Sequence, residues 1–301
     1  MRGEVSLRRD AASFVYGSLG VVSFSLTLPA TKVAVVDLGG TVVGLGRALV
    51  AAGLAALLLR VRRERWPSRA ELPSLIVVAA GVVVGFPLLS AWAIRLVPAS
   101  HGAVVTGLLP LATAVMAATR AGERPSWTFW LVSAAGLGAV LVFAATIGGG
   151  APRAADSLLL GAVAAAGLGY AEGARLARTL GDWQVICWAL LLSAPVVIWP
   201  VAWWVATHGL HARPGAWLGF AYVSVVSMFL GFFAWYRGLA LGGIAKVGQL
   251  QLAQPVLTLA WSALLLGETL TTPTVVASIV ILALVALGRR ARVGRATAAA
   301  Q

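Results

Sequence analysis

Residues 110–126 read PLATAVMAATRAGERPS, and residues 255–271 read PVLTLAWSALLLGETLT. In each stretch a proline opens an apolar run and a Gly-Glu pair closes it. Gly122-Glu123 stands as far from Pro110 as Gly267-Glu268 stands from Pro255. Just upstream, AWAIRL (91–96) echoes AWYRGL (234–239), with a two-residue difference in length before the proline. The copies are offset by 145 residues, close to half of the 301-residue chain. Self-similarity at a fixed period marks an internal repeat, so the chain is expected to consist of two halves with the same series of elements.

Composition says what those elements are. Hydrophobic residues make up 60% of the chain and charged residues only 11%, against about a quarter charged in an ordinary soluble domain. So few charges do not cover the surface of a soluble protein of this size. Disorder needs the opposite balance. The chain therefore reads as an all-α integral membrane protein. A helix needs about 20 mostly apolar residues to cross hydrocarbon. Ten segments qualify: 12–31, 39–59, 72–94, 98–119, 126–147, 157–177, 183–206, 215–238, 244–266 and 270–288. Turn and charge signals separate them, among them RVRRERWPSRAE (60–71), AGERPS (121–126), GGGAPRAAD (148–156) and THGLHARPG (207–215). These separators leave no room for a soluble catalytic domain. The start, MRGEVSLRRDAASF (1–14), runs into apolar sequence with no small-residue cleavage site, which predicts a retained first helix.

The net charge of +13 would suggest nucleic acid in a soluble protein, but no basic stretch here is polar enough to form its own domain. It reads instead as topology. With the N-terminus inside, the inner side receives 18 of the 23 basic residues: those at 2–9, 60–69, 120–124, 175–178, 237–246 and 289–295. The outer side receives four, Lys32, Arg95, Arg153 and Arg213, and Arg47 lies within the second span. Excess Lys and Arg on the cytoplasmic side sets orientation, so both termini are expected in the cytoplasm. Five spans per half is an odd number, so the second half enters the bilayer inverted. Inverted repeats build secondary transporters with a substrate site near the midplane. The expected units are 12–147 and 157–288, with cytoplasmic tails 1–11 and 289–301.

The P-x11-GE endings, the ten spans and the inverted duplication resemble the drug/metabolite transporter superfamily, in its EamA-type branch. The resemblance covers about residues 12–288. It implies a multi-pass exporter or permease of small metabolites or drugs in the cell inner membrane. It also implies a basket-like fold whose cavity is lined mainly by spans 1, 3, 4, 6, 8 and 9. Branches that carry phosphorylated substrates have basic pairs in the cavity, and this chain shows no Lys/Arg pair at mid-depth. The partners implied are a small-molecule substrate and the lipid bilayer, with a homodimer compatible and no nucleic acid.

Candidate site residues follow from polar groups inside apolar spans, where a charge costs roughly 2.5–3.5 kcal/mol or more. Arg47 is near mid-depth in span 2. It either pairs with backbone carbonyls or contacts a substrate carboxylate or a gating acid. Glu172 in span 6 has Arg175 at i+3 on the same face; it is either an interfacial ion pair or a protonatable coupling or gating group. Glu123 and Glu268 lie between helices, where a carboxylate satisfies free amides and the positive end of the following helix; they read as a structural repeat motif. Pro110 and Pro255 read as mid-helix kinks, the sequence pointers to a transport site. Beside Pro255 stand Gln249, Gln251 and Gln254, amides that need partners; Gln251 and Gln254 are taken as substrate-binding. Trp92, Tyr170 and Tyr236 are candidate aromatic walls, or ordinary packing. Eight other tryptophans near span ends read as interfacial belts. No nucleophile constellation, phosphate-cradling loop or Cys/His metal spacing is present, so no cofactor and no enzymatic activity are expected. The expected function is secondary-active export of a small, amino-acid-like metabolite or drug. A channel would show rings of like charge or a filter loop; a channel-like or structural subunit, and less so an embedded enzyme, are the alternatives.

Overall fold

The computed structural model describes residues 2–121, 124–125, 127–148, 153–242, 247–290 and 293–294. Between its loops the described chain is helical, apart from one antiparallel pair of two-residue strands, β1 (Arg124–Pro125) and β2 (Val293–Gly294). Six helical stretches are long and apolar enough to cross a membrane, and shorter apolar helices add to them. This is a multi-pass membrane protein. In hydrocarbon a helix satisfies every backbone N–H and C=O within its own segment, which is why apolar runs of this length fold this way.

Several helices are interrupted, and two of the interruptions repeat. α1 (Arg2–Ser25) meets α2 (Thr27–Thr41) at a turn on Leu26. The chain reverses at Gly39, whose φ of 74° is left-handed backbone that favours a residue without Cβ. The first helix thus runs on past the expected end at residue 31. Pro29 does not stop it, because it sits in the first turn of α2, where a missing N–H costs little. A π-helical turn, Val42–Gly46, leads into α3 (Arg47–Arg62). Next come α4 (Leu72–Val78), a π segment Ala79–Gly85, and α5 (Phe86–Leu96). α6 (Ala99–Thr106) and α7 (Leu109–Ala121) are parted at Gly107-Leu108, and α8 spans Trp127–Gly148.

The second half opens with two unbroken helices and then follows the order of the first. It comprises α9 (Ala154–Leu176), α10 (Asp182–His208), α11 (Pro214–Ala221), a π segment Tyr222–Leu230 and α12 (Gly231–Gly242). A 3-10 segment, Gly248–Leu252, then precedes α13 (Ala253–Leu266) and α14 (Thr272–Arg290). The 145-residue offset carries Ala79–Gly85 onto 224–230 and Gly107 onto Leu252, so these two breaks match, whereas Leu26, Gly39 and Val42–Gly46 fall onto 171, 184 and 187–191, inside unbroken α9 and α10. Partners interchange in the same way: α1 packs on α12, and α9 packs on Ala79–Gly85 and α5. α6 pairs with α13, α8 with α14, and α3 with α10.

Contacts at helix ends fall into two groups. At one end Glu64 meets Gln184, Arg237 meets Asp182, and β1 meets β2. At the other, Arg213 grips Asp37 with paired bonds of 3.0 Å, and Lys32 Nζ donates to the carbonyls of Ile94 and Val97, each at 2.9 Å. Glu268 and the His101–Asp156 pair also lie at this second end. The first is called the tail end below. In the tail-end loop, the Arg65 guanidinium and the Ser68 N–H hold the Glu71 carboxyl down at about 2. Trp66, Trp127, Trp130, Trp199, Trp203 and Trp217 are well exposed on the outside of the bundle.

Candidate functional site

The interruptions converge on one cavity. It is lined by Phe24, Thr27 and Leu28 around the Leu26 turn and by Arg47 just after its π turn. Val82, Phe86, Pro87, Ser227, Met228 and Phe232 come from the two matched π regions, Thr106 from the end of α6, Ala166 and Tyr170 from α9, and Gln254 from the start of α13. Backbone groups freed at the breaks find side-chain partners nearby. Thr258 donates to Ser25 O at 2.7 Å, and Tyr222 donates to Ser23 O at 3.0 Å. Thr27 and Ser227 share a hydrogen bond of 2.8 Å across the cavity edge. The space is small: its volume of about 20 Å³ is room for about one or two waters. Toward the tail end lie Phe24, Tyr170, Phe232 and Trp235, with Phe24–Phe232 centroids 5.0 Å apart. Toward the other end, Leu28, Ile94 and Leu159 close around Gly102.

Arg47 is the one basic side chain lining this cavity. It is 1% exposed, and both Nε and Nη2 are buried without a hydrogen-bond partner. No ion pair reaches it among the described residues. The backbone-carbonyl partner that the sequence allowed is therefore absent among those residues. Gln254 Oε1, also in the lining, is likewise buried and unpartnered. The site thus offers a guanidinium, an amide acceptor, three hydroxyl side chains and an aromatic wall. A planar guanidinium matches a carboxylate with two parallel bonds.

The other sequence candidates are placed as follows. Tyr170 lines the cavity. Tyr236 lies beyond it toward the tail end, fully buried, donating to Gly169 O at 3.3 Å. Gln251 is 1% exposed in the 3-10 segment, one turn from Gln254, with both amide atoms unpartnered. Trp92 is away from the cavity, 40% exposed, with its indole over Gly40. Glu172 is buried at the tail end and pairs with Arg175, which also donates to Ser74 at 2.8 Å. Pro110 and Pro255 do not interrupt helices themselves. Each sits in the first turn of a helix resuming after a break, where its missing N–H is tolerated. Glu268 does satisfy free amides, but not those of the following helix. It accepts from Ala99 and Ser100 of α6, both at 2.8 Å, tying the halves together. Glu123 lies outside the described residues.

The sequence reading missed Thr27, Thr106 and Ser227, single hydroxyl residues in apolar runs with no motif of their own. It also missed the buried pairing of His101 with Asp156; His101 alone was visible as a boundary residue. Among the described residues no group of three His, Cys, Asp or Glu side chains is placed to hold a metal.

Comparison with known proteins matches this geometry to a family. A protein 45% identical over 285 residues, covering 94% of this chain and 99% of its own, is the uncharacterized transporter YdeK of Bacillus subtilis (strain 168). A more distant relative is the probable terminal-alkyne amino-acid exporter of Streptantibioticus cattleyicolor, 28% identical across 79% of this chain and 80% of its own. A solved crystal structure 17% identical shares the fold, with a TM-score of 0.61 over 92% of this chain and 96% of that one. The model of the EamA-like transporter family matches twice, at residues 12–145 and 153–288. The chain belongs to the EamA-like transporter family, as two consecutive copies of its repeat.

Proposed function

We propose that this transporter is a secondary-active exporter of a small organic carboxylate, amino-acid-like in size, in the cell inner membrane. In this reading ten spans form two inverted five-helix halves, both termini are cytoplasmic, and the cavity opens alternately to the two sides. One observation carries the substrate class: the buried, unpartnered guanidinium of Arg47. An uncompensated buried charge costs several kcal/mol, and a protein retains it where a ligand supplies the counter-charge. Arg47 takes the carboxylate, and Gln254 Oε1 accepts from an ammonium or hydroxyl. Phe24, Tyr170 and Phe232 cover the apolar part. Gln251, with both amide atoms bare, is a second polar contact as the 3-10 segment shifts. Glu172, Arg175 and Ser74 form a tie at the cytoplasmic side that parts when the cavity opens inward. The amino-acid export named for one relative agrees in chemical class.

The test is flux in proteoliposomes against amino acids, purines and cationic drugs, with and without a pH gradient. A carboxylate-bearing solute is expected to move. Arg47→Gln is expected to reduce its kcat/KM about tenfold or more, as two lost charge-assisted bonds require. Arg47→Lys, which keeps the charge but not the fork, is expected to fall between. Arg47→Gln protein that inserts normally and transports with unchanged KM would falsify the assignment.

A further inference from the structure

At the tail end, the loop after α3 gathers basic side chains that carboxylate binding does not use. Residues 60–71 read RVRRERWPSRAE, five arginines against two glutamates. Both glutamates are engaged. Glu71 accepts two bonds from the Arg65 guanidinium, at 3.1 and 2.9 Å, and two more from the N–H and hydroxyl of Ser68. Glu64 accepts from Gln184 at 3.3 Å. Arg60, Arg62, Arg63 and Arg69 are exposed and make no ion pair among the described residues. In the same loop Trp66 sets its ring against Trp188, with centroids 4.8 Å apart, yet stays 77% exposed.

Topology asks for the number of these charges; it does not ask for this backbone. Arg63 closes α3 with φ 51° and ψ 42°, a left-handed conformation. Among the described residues it is the one residue other than glycine with positive φ. Its N–H reaches Arg60 O at 3.2 Å, and the Glu64 N–H reaches Leu59 O at 3.0 Å, a reversal that glycine usually makes. α10 and α13 do end on glycines of positive φ, Gly209 and Gly267. An arginine at this place carries strain that glycine would not. The negative end of α3 is already met by Arg60 and Arg62 in its last turn. What Arg63 adds is one more exposed guanidinium, on a loop whose shape the Glu71 carboxylate holds.

We propose that this loop is a binding site for the headgroup of an anionic phospholipid. The four unpaired arginines supply the guanidiniums, whose planar forks meet a phosphodiester with paired, charge-assisted bonds. Trp66 lies at the level of the glycerol and ester groups, the depth at which indole rings gather. Basic clusters beside a membrane span attract anionic lipid. A zwitterionic phospholipid carries the same phosphodiester but brings its own ammonium into a cluster of like charge, so it binds less well. The occupant is a lipid and not free phosphate, because the cluster stands where α3 leaves the apolar part of the bundle, with an exposed indole in the same loop. Nothing in this site depends on the substrate reading.

The experiment uses the whole protein purified in a neutral detergent, where orientation in a bilayer plays no part. Phosphatidylglycerol and phosphatidylcholine with the same acyl chains are titrated in, and bound lipid is counted by native mass spectrometry. Phosphatidylglycerol is expected to bind about tenfold tighter. Arg63→Gly is expected to weaken it about fivefold, the effect of one basic residue at an anionic surface, and Arg63→Lys by less, since the charge stays and only the fork is lost. Combining Arg63→Gly with Arg62→Gln and Arg69→Gln is expected to abolish the preference. Replacing Arg289, Arg290 and Arg292 by Gln removes as much charge elsewhere and is expected to keep it. Without lipid, Arg63→Gly is expected to melt no lower than the parent, because glycine relaxes the left-handed turn. Equal binding of the two lipids, a preference that survives the triple variant, or an equal loss in the 289–292 control overturns the proposal. So does a lower melting temperature of Arg63→Gly without lipid, which would make Arg63 a helix cap, or displacement of the lipid by millimolar glycerol 1-phosphate, which would make the loop a site for a soluble phosphate.

Discussion

Arg47 shows what one residue can reveal before and after its neighbours are known. Its depth was legible, because any arginine eight residues into an apolar run is conspicuous. Its lack of a partner was not, since that depends on which helices converge around it. Trp92 and Tyr170 make the same point from the other side. Depth along a helix follows from residue number, but azimuth depends on packing, and only Tyr170 faces the cavity. The bare guanidinium also yields a prediction that a structural arginine would not. Removing a charge that nothing neutralises should help folding, since replacing buried ions by apolar side chains is often stabilising, by about 1–4 kcal/mol. Arg47→Met is therefore expected to raise the melting temperature of the purified protein by a few degrees, about 2–4 °C per kcal/mol, while abolishing flux. A variant that melts lower would mean that Arg47 holds the bundle together through contacts it does not make here.

At the level of elements, the cavity lies where helices are broken, two of the breaks at matched positions. Prolines announced two of these places, Pro110 and Pro255, but the breaks themselves lie just before them, at Gly107-Leu108 and Gly248–Leu252. The π segments at Ala79–Gly85 and Tyr222–Leu230 had no single-residue signature, because the phase shift of an extra residue leaves no mark in a run that is apolar on every face. Their role is to bring backbones close. A Cβ on Gly81 would lie 2.5 Å from Ala165 O and 3.0 Å from Gly169 Cα, and one on Gly169 would strike Val82. The α9 backbone has no flexible side chain there to give way. Gly81→Val is expected to cost about 1–3 kcal/mol through overpacking, read as a lower melting temperature. Gly53→Val, at a site with open space around it, serves as the matched control and is expected to melt like the parent. Equal melting of the two variants would show that the Gly81–Gly169 crossing is loose.

At the scale of the whole molecule the duplication was legible, and the family model matches twice, at 12–145 and 153–288. Charge distribution and repeat are global properties, and they do not depend on where any one side chain points. The sorting of end contacts into two groups agrees with alternating traverses. Asp37 reaches Arg213, whereas Glu64 reaches Gln184 and Asp182 reaches Arg237. In the charge argument, the end with Arg60, Arg62, Arg63, Arg65 and Arg69 faces the cytoplasm, because Lys and Arg near span ends resist translocation. By the same argument the end with Arg213 is expected to face out. A reporter fused after residue 301 is expected to score cytoplasmic, and one inserted between 207 and 214 to score external. The two sites are separated by an odd number of traverses if α11 to α14 make three crossings. A result with both reporters on one side would therefore require one of these interrupted helices to enter and leave by the same face. Reversing the bias gives a stricter check. Converting Arg62, Arg63 and Arg65 to Gln while adding three lysines after Thr207 is expected to produce mixed orientation in the same assay, because orientation follows the difference in basic charge between the two sides. An unchanged single orientation in that variant would mean that packing between the halves, anchored by Glu268 on α6, sets the topology in place of charge.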